Sequence, residues 1–215
     1  MRIEWDRPDH GLRRDAPTLV LANHVCWADI LILQSVLSRT GPLLKFLAKR
    51  ELLWMPIFGV VFWAFDFPLL RRRATGDVDE ETRRRADAAA LETACAALRR
   101  HPAALLTFAE GTRFSEEKRV ARESPYQTLL PPKVGGLASL RDALDGAVAE
   151  IVDVTLAYPE DASFWRFLCG RVSRVEVDVD RVPIDDVPRE RDAMIEWLDE
   201  RWRRKDRLIL EYRGR

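Results

Sequence analysis

The chain has 215 residues, enough for one α/β domain with a sizeable core but too few for two full domains. Hydrophobic residues make up 47% and charged residues 33%, which is typical of an ordered globular chain and excludes a disordered one. The 35 Lys and Arg residues equal the 35 Asp and Glu residues, so net charge favours no class of partner. Because the basic runs come without a recognition motif, we expect no nucleic-acid partner.

Short apolar runs alternate along the chain with longer helical patterns, and most of the boundaries are marked by polar or proline residues. The patterns predict, in chain order, strand 18–22, a helix ending near 37, strand 43–48, helix 51–65, strand 67–70, helix 79–100, strand 104–108, a long polar loop 114–132, helix 133–144, strand 150–157, short helix 164–169, strand 171–182 and helix 189–207. This alternation predicts an α/β fold, a single domain over 1–215 with a largely parallel sheet covered by helices.

The longest apolar stretch, at residues 52–70, has nearly the length of a membrane span. Two prolines, a glycine and Asp66 interrupt it, and a central charge is costly in lipid. We therefore expect this segment to lay part of its apolar surface on a bilayer rather than to cross it.

Three widely spaced cysteines without a C-x-x-C pair, and only three histidines, argue against a disulfide framework and a zinc site. We expect no metal and no cofactor. Cys26 stands beside His24 and is a conceivable nucleophile, but nothing in the sequence orients the two as a pair. A packing role for Cys26 is the expected one.

A histidine and an acid lie five residues apart in the polar segment after the first predicted strand. If His24 lies in the turn and Asp29 in the first turn of the next helix, the carboxylate can accept a hydrogen bond from one imidazole nitrogen. The other nitrogen is then free to act as a general base. The pair also has an ordinary interpretation, in which Asp29 favours the helix N-terminus and His24 bonds within a loop.

A second polar motif, Glu110-Gly111-Thr112-Arg113, follows the predicted strand 104–108. Gly111 permits a tight backbone path, and Arg113 offers a two-pronged guanidinium that suits a phosphate. Glu110 could orient Arg113 or line an acceptor pocket. An ordinary turn with a surface ion pair is the alternative. Active sites of parallel α/β folds lie beyond the carboxyl ends of the strands, and both polar motifs fall there.

Further cations follow two other predicted elements. Arg71 and Arg72 come directly after an apolar strand and would suit a second phosphate or an anionic membrane surface, although a plain basic loop explains them too. Lys133 precedes two glycines at the predicted start of a helix, where backbone amides could bind an anion.

Together these motifs resemble the blocks of the glycerophospholipid acyltransferase family, which contains the 1-acyl-glycerol-3-phosphate acyltransferases. Each block alone is short, but four in the family's order form a specific pattern. The matches are residues 23–29 for N-H-x4-D, residues 69–72 for an apolar pair followed by any residue and Arg, residues 108–113 for F-P-E-G-T-R, and residues 152–154 for V-P-V.

The resemblance covers a motif core of about residues 18–160 and leaves a C-terminal strand and amphipathic helix at about 171–207. Ala109 and Asp153 replace the prolines of the third and fourth blocks. The stretch after residue 152 is more similar to the lysocardiolipin-acyltransferase-like branch and its bacterial relatives. Only 22 residues precede Asn23, fewer than the N-terminal hydrophobic segments of such proteins need, so we expect a truncated or alternatively started form.

The resemblance implies direct transfer of a fatty acyl group to lysophosphatidic acid or another lysophospholipid, without a covalent enzyme intermediate. Acyl-CoA or acyl carrier protein would be the co-substrate, and the enzyme would be associated with a membrane surface, its active site facing the cytoplasm. The implied roles are general base for His24, orientation of that base for Asp29, phosphate binding for Arg113 and for Arg72 or Arg71, and the acceptor pocket for Glu110, Gly111 and Thr112, with Lys133 as a further binding residue.

Two alternatives stay open at this point. A thioesterase or other hydrolase would use the same histidine and carboxylate on water, and it would release the thiol carrier without any lysolipid. A non-catalytic lipid-binding protein would share the fold and the cations but would transfer nothing.

Overall fold

The computed structural model describes most of the chain outside one long segment. The described residues are 2–5, 12, 15–37, 42–46, 48–49, 69–70, 89, 91–93, 95–96, 98–100, 102–159, 162–172 and 174–214. The predicted helix 51–65, the first part of the predicted helix 79–100, and both Arg71 and Arg72 lie outside them.

Within these described ranges, six strands form one sheet in the spatial order β1-β8-β7-β2-β6-β3. Every neighbouring pair is parallel except β7 with β8, so the predicted largely parallel sheet is confirmed. Strands β4 and β5 form a separate parallel pair. The strands are β1 (Arg2–Trp5), β2 (Thr18–Ala22), β3 (Leu44–Phe46), β4 (Ala48–Lys49), β5 (Leu69–Leu70), β6 (Ala104–Phe108), β7 (Glu150–Ala157) and β8 (Arg174–Pro183).

Helices cover both faces of this sheet. Leu19 and Leu21 of β2 belong to the core cluster on one face, and the intervening Val20 belongs to the cluster on the other. Because both faces are covered, the central strand β2 has apolar residues at successive positions. The helices are α1 (Ala28–Leu37), α2 (Glu116–Ala121), α3 (Val134–Ala143), α4 (Phe164–Leu168) and α5 (Arg191–Arg213), and the described residues from 89 to 100 are also helical.

The prediction of a polar loop over 114–132 was wrong, because α2 lies within it. Ser115 caps this helix by accepting a hydrogen bond from the Lys118 amide at 3.3 Å, and Glu116 and Glu117 favour its first turn. No residue of α2 is buried, so the helix leaves no hydrophobic period in the sequence.

The last helix is fixed to the sheet by a buried ion pair. Lys205 Nζ of α5 lies 2.6 Å from Asp153 Oδ1 of β7, and the two side chains are 0% and 1% exposed. The same ammonium donates to the Val154 carbonyl at 2.5 Å. Burial lowers the pKa of Lys205, and the Asp153 charge opposes that shift. Asp153 thus replaces the proline of the family's fourth block with a contact to the C-terminal helix.

Candidate active site

The turn between β2 and α1 brings His24 and Asp29 together. The Nδ1–H of His24 donates a hydrogen bond of 2.7 Å to Asp29 Oδ2, and the side chains are 15% and 0% exposed. The predicted contact is confirmed. With Nδ1 committed to the carboxylate, the Nε2 nitrogen is the one that can accept a proton from another group.

Asp29 also organises the backbone of its own turn. Its Oδ2 accepts the amides of Val25 at 2.6 Å and Cys26 at 3.0 Å, and its Oδ1 accepts the hydroxyl of Tyr158 at 2.7 Å. The two interpretations of the sequence are therefore both present, since the carboxylate holds the turn at the start of α1 and the imidazole at once.

Cys26 packs rather than points out of the turn. Its side chain is buried, and burial together with the Asp29 charge raises the pKa of the thiol to about 11. A protonated thiol is a poor nucleophile at neutral pH. This supports the packing role expected from the sequence.

Asn23 ties the end of β2 to the end of β7. Its Nδ2 donates to the Leu156 carbonyl at 3.0 Å, and its Oδ1 accepts the Leu156 amide at 2.8 Å. The side chain therefore continues the pairing of the two strands beyond the last residue of β2. No separate role for Asn23 was predicted from the sequence, although Asn23 is the first residue of the N-H-x4-D block.

The turn after β6 meets the turn after β2. The Phe114 amide donates to the His24 carbonyl at 2.8 Å, and the His24 amide donates to Glu110 Oε1 at 3.4 Å. The imidazole ring also stacks on Phe108, with 3.9 Å between ring centroids and 12° between planes. The two polar motifs are thus side by side, as the carboxyl-end rule for parallel strands predicts.

Glu110 is fully buried and carries few hydrogen bonds for a carboxylate. Its contact with the His24 amide is long, and within the described residues its Oε2 has no hydrogen bond of normal geometry. Burial raises the pKa of Glu110 to about 8, and the amides of His24 and Leu130 offset this only in part. The side chain faces the His24 turn, so the option that it orients Arg113 does not match the contacts seen.

Gly111 makes the bend between the strand and the basic part of the motif. Its φ is +68°, a conformation that favours glycine, and its amide donates to the Phe108 carbonyl at 3.0 Å. A Cβ at this position would lie 3.6 Å from Cδ of Lys133, whose backbone amide bonds the Ala109 carbonyl at 2.8 Å. Lys133 therefore lies directly over the turn.

Helix α2 and its C-cap residue contribute two cations that were not predicted from the sequence. Lys118 Nζ donates to the Thr112 hydroxyl at 3.0 Å and to the Arg113 carbonyl at 2.9 Å. Arg122 donates to the Glu110 carbonyl at 3.2 Å. A Ser-Glu-Glu start in the sequence was the available sign of this helix.

Arg113 stacks on an aromatic ring from the first motif. Its guanidinium carbon lies 5.2 Å from the centroid of Trp27, within range of a cation–π contact. With Lys118, Lys133 and Arg122 it makes the edge beside His24 strongly basic, which suits a phosphate-bearing substrate. The structure does not describe Arg71 and Arg72, so their predicted part in this site stays a prediction.

In the described part of the chain, no group of three or more His, Cys, Asp or Glu side chains is arranged to hold a metal ion. Among the same residues no helix combines the length and the apolar character needed to cross a bilayer.

Comparison with known proteins identifies the family. A family model described as acyltransferase matches residues 7–158, and one described as acyltransferase C-terminus matches residues 166–214. The chain belongs to the acyltransferase family. The predicted membership in the glycerophospholipid acyltransferases is confirmed, since similar proteins are named 1-acyl-sn-glycerol-3-phosphate acyltransferases.

The chain is 30% identical over 212 residues to 1-acyl-sn-glycerol-3-phosphate acyltransferase gamma of Mus musculus, covering 91% of this chain and 53% of the relative. It is 30% identical over 208 residues to the delta enzyme of Homo sapiens, covering 90% and 52%. The chain therefore spans about half the length of these acyltransferase relatives.

Among solved structures, the 1-acyl-sn-glycerophosphate (LPA) acyltransferase PlsC of Thermotoga maritima is similar with a TM-score of 0.62. The match covers 99% of this acyltransferase chain and 73% of PlsC at 18% identity, so it shows a shared fold.

Proposed function

We propose that this protein transfers a fatty acyl group from a thioester carrier to a hydroxyl of a lysophospholipid, with His24 as the general base. The observation that carries the proposal is the part-buried hydrogen bond from His24 Nδ1–H to Asp29 at the carboxyl edge of the sheet. The names of the relatives support lysophosphatidic acid as the acceptor class.

The transfer needs no covalent intermediate on the protein. His24 Nε2 takes the proton of the acceptor hydroxyl while its oxygen attacks the thioester carbonyl carbon. The tetrahedral intermediate then collapses, the carbon–sulfur bond breaks, and the departing sulfur takes the proton from the imidazolium. The products are an ester and a free thiol. Asp29 stabilises the imidazolium while it exists, as the carboxylate does in hydrolase triads.

The basic turn after β6 would place the acceptor. A phosphate bound near Arg113, Lys118 and Lys133 would hold the attached glycerol next to the stacked ring of His24. Holding an alcohol and a base together in this way removes much of the entropic barrier to reaction. Gly111 and Thr112 would shape the backbone side of this pocket, and Arg72 or Arg71 would add a second phosphate contact.

The carrier and the location are parts of the same proposal. We expect acyl-CoA or acyl carrier protein as the donor and no metal or other cofactor. A lysophospholipid acceptor is presented at a bilayer surface, so the enzyme would work while associated with a membrane, its active site on the cytoplasmic side. Basic side chains at the site would favour an anionic surface.

His24→Ala tests the proposal. Purified protein would be given labelled acyl-CoA, or in parallel acyl carrier protein, with a panel of lysophospholipids in vesicles. We expect the variant to lose transfer by at least about 10³-fold, because a general base and its orientation contribute about 10²–10⁴ each. Binding to the vesicles, measured by sedimentation, should stay as in the wild type.

His101→Ala, which replaces a histidine outside both polar motifs, is the matched control and should keep full transfer. Undiminished transfer by His24→Ala would refute the base assignment. Thiol release by the wild type without any acceptor, at the rate seen with acceptor, would identify a hydrolase. Vesicle binding without transfer or thiol release would leave a lipid-binding protein.

A further inference from the structure

Tyr158 reaches the Asp29 carboxylate from a different strand. It is the first residue after β7, 129 residues along the chain from Asp29, and its hydroxyl donates to Asp29 Oδ1 at 2.7 Å. Both residues are buried, with 1% and 0% of their surfaces exposed. Tyr158 has no assigned role in the proposed acyl transfer.

The two oxygens of Asp29 depend on different parts of the fold. Oδ2 accepts three hydrogen bonds, all from the turn that contains His24. Oδ1 accepts the Tyr158 hydroxyl, and its other contact is the Cys26 sulfur at 3.8 Å, a weak donor. Tyr158 is therefore the principal partner of Oδ1, and it limits rotation of the carboxylate about its side-chain bond.

The backbone around Tyr158 is held on both sides. The Asn23 side chain pairs with Leu156 through two hydrogen bonds, two residues before Tyr158. Nε of Arg213, at the end of α5, donates to the Tyr158 carbonyl at 3.2 Å. The position of the Tyr158 backbone is thus set by Asn23, which follows β2, and by Arg213 of the C-terminal helix. None of these contacts involves the Tyr158 hydroxyl.

The phenol can only donate to Asp29 in this environment. Burial, and after it the neighbouring Asp29 charge, raise the pKa of Tyr158 far above its ordinary value. A hydroxyl that stays protonated stabilises the charged form of a buried carboxylate, which otherwise pays a large desolvation penalty.

We propose that Tyr158 is a positioning residue for the catalytic pair, holding Asp29 Oδ1 so that Oδ2 stays aligned with His24 and the carboxylate stays charged. This inference rests on the proposed function of His24. Tyr158 touches neither the acceptor nor the thioester in this role and acts only through Asp29.

Loss of the hydroxyl has two consequences that a packing residue would not produce. Without the hydroxyl the Asp29 carboxylate can rotate out of line with His24 Nδ1, so kcat falls while the KM for acceptor and donor stays unchanged. In addition, the negative charge of the pair loses a donor, so the pair takes up a proton at higher pH whichever member receives it. The titratable or charged groups facing Asp29 are His24, Cys26, Tyr158 and Glu110, with Lys205 acting on Glu110 from farther away.

The test compares Tyr158→Phe with Tyr126→Phe. Each change keeps a buried ring and removes one oxygen, because Tyr126 also donates its hydroxyl to an aspartate, in its case Asp199 of α5 rather than Asp29. We expect Tyr158→Phe to lower kcat by about tenfold to hundredfold, the range for a hydrogen bond to a charged group. The acid limb of its pH profile should move to higher pH by about one unit. Tyr126→Phe should show neither effect.

His24→Ala, assayed in parallel, separates the two hypotheses. If it is inactive and Tyr158→Phe keeps the wild-type kcat and acid limb, the role of Tyr158 is refuted and that of His24 stands. A raised KM with unchanged kcat in Tyr158→Phe would also refute it. Full activity of His24→Ala would remove the base, and the inference about Tyr158 with it.

Discussion

The turns after β2 and β6 lie side by side, and each buries an acidic residue completely, yet they treat the two carboxyl groups in opposite ways. Asp29 in the first turn accepts hydrogen bonds from His24, from two backbone amides and from Tyr158. Glu110 in the second turn interacts with the backbone amides of His24, at 3.4 Å, and Leu130, and burial nevertheless raises its pKa to about 8.

Burial alone therefore does not decide the state of an acid at this edge of the sheet. A buried carboxylate without donors is costly and takes up a proton, whereas one with several donors can stay charged. The first turn provides a charge that can support an imidazolium. The second provides a largely neutral acid beside it at neutral pH.

A third buried acid extends the comparison. Asp153 is charge-paired with Lys205 rather than surrounded by backbone amides. Its partner comes from the C-terminal helix, so its role is to attach α5 to β7. Three buried acids within one fold are thus accommodated by hydrogen-bond donors, by protonation and by an ion pair.

The largest effect on acyl transfer is expected from replacing Asp29. Asp29→Asn keeps the shape of the side chain but removes the charge that supports the imidazolium, so we expect acyl transfer to fall by about 10³–10⁴. The measurement is kcat at the pH of maximal rate. Asp206→Asn is the control, since Asp206 is also a buried acid that accepts backbone amides, but these are the amides of Gln127 and Thr128 rather than groups of the His24 turn.

Asp206→Asn should lower stability and leave kcat near the wild-type value. Similar losses of kcat in the two variants would mean that Asp29 acts by holding the fold and not by supporting His24.

The next effect concerns Lys205. Lys205→Met leaves Asp153 buried without its cation, so we expect the free energy of unfolding to fall by about 3–5 kcal/mol in denaturant titrations. The double variant Asp153→Leu with Lys205→Met should recover most of this loss. Arg189→Met, which breaks an exposed pair with Asp145, should leave the free energy of unfolding nearly unchanged. If Lys205→Met costs no more than Arg189→Met, the buried pair does not fix α5.

The smallest effect is the pH dependence that Glu110 imposes on stability. Its pKa is raised on folding, so between about pH 5 and about pH 8 the folded protein keeps a proton that the unfolded chain releases, and stability falls as pH rises. Glu110→Gln cannot titrate. We expect its stability relative to the wild type to increase by roughly 3–4 kcal/mol across that range. If the free energy of unfolding depends on pH in the same way in the two proteins, Glu110 is charged when folded and the prediction is wrong.

Local patterns predicted much of the fold and of the site. The apolar runs at 18–22, 104–108 and 150–157 became β2, β6 and β7, because strands covered on both faces need apolar residues at successive positions. The contact between His24 and Asp29 followed from a spacing of five residues across one turn. Contacts within a turn depend on few residues, so their sequence is informative.

Local sequence patterns did not predict helix α2 and strand β1. Helix α2 has no buried residue, so its sequence predicts a loop and does not indicate that Lys118 and the C-cap residue Arg122 reach the site. Strand β1 is at the edge of the sheet, where its position depends on pairing with β8 from the far end of the chain.

The sequence by itself determined the alternation of strands and helices, the order of the four motifs and the contact between His24 and Asp29. Each of these depends on residues that are close together in the chain. Only the tertiary structure decided which buried acid stays charged. Tyr158 meets Asp29 across 129 residues and Lys205 meets Asp153 across a strand–helix interface, while Glu110 meets no comparable partner among the described residues. The state of a buried acid depends on donors that folding brings from elsewhere in the chain.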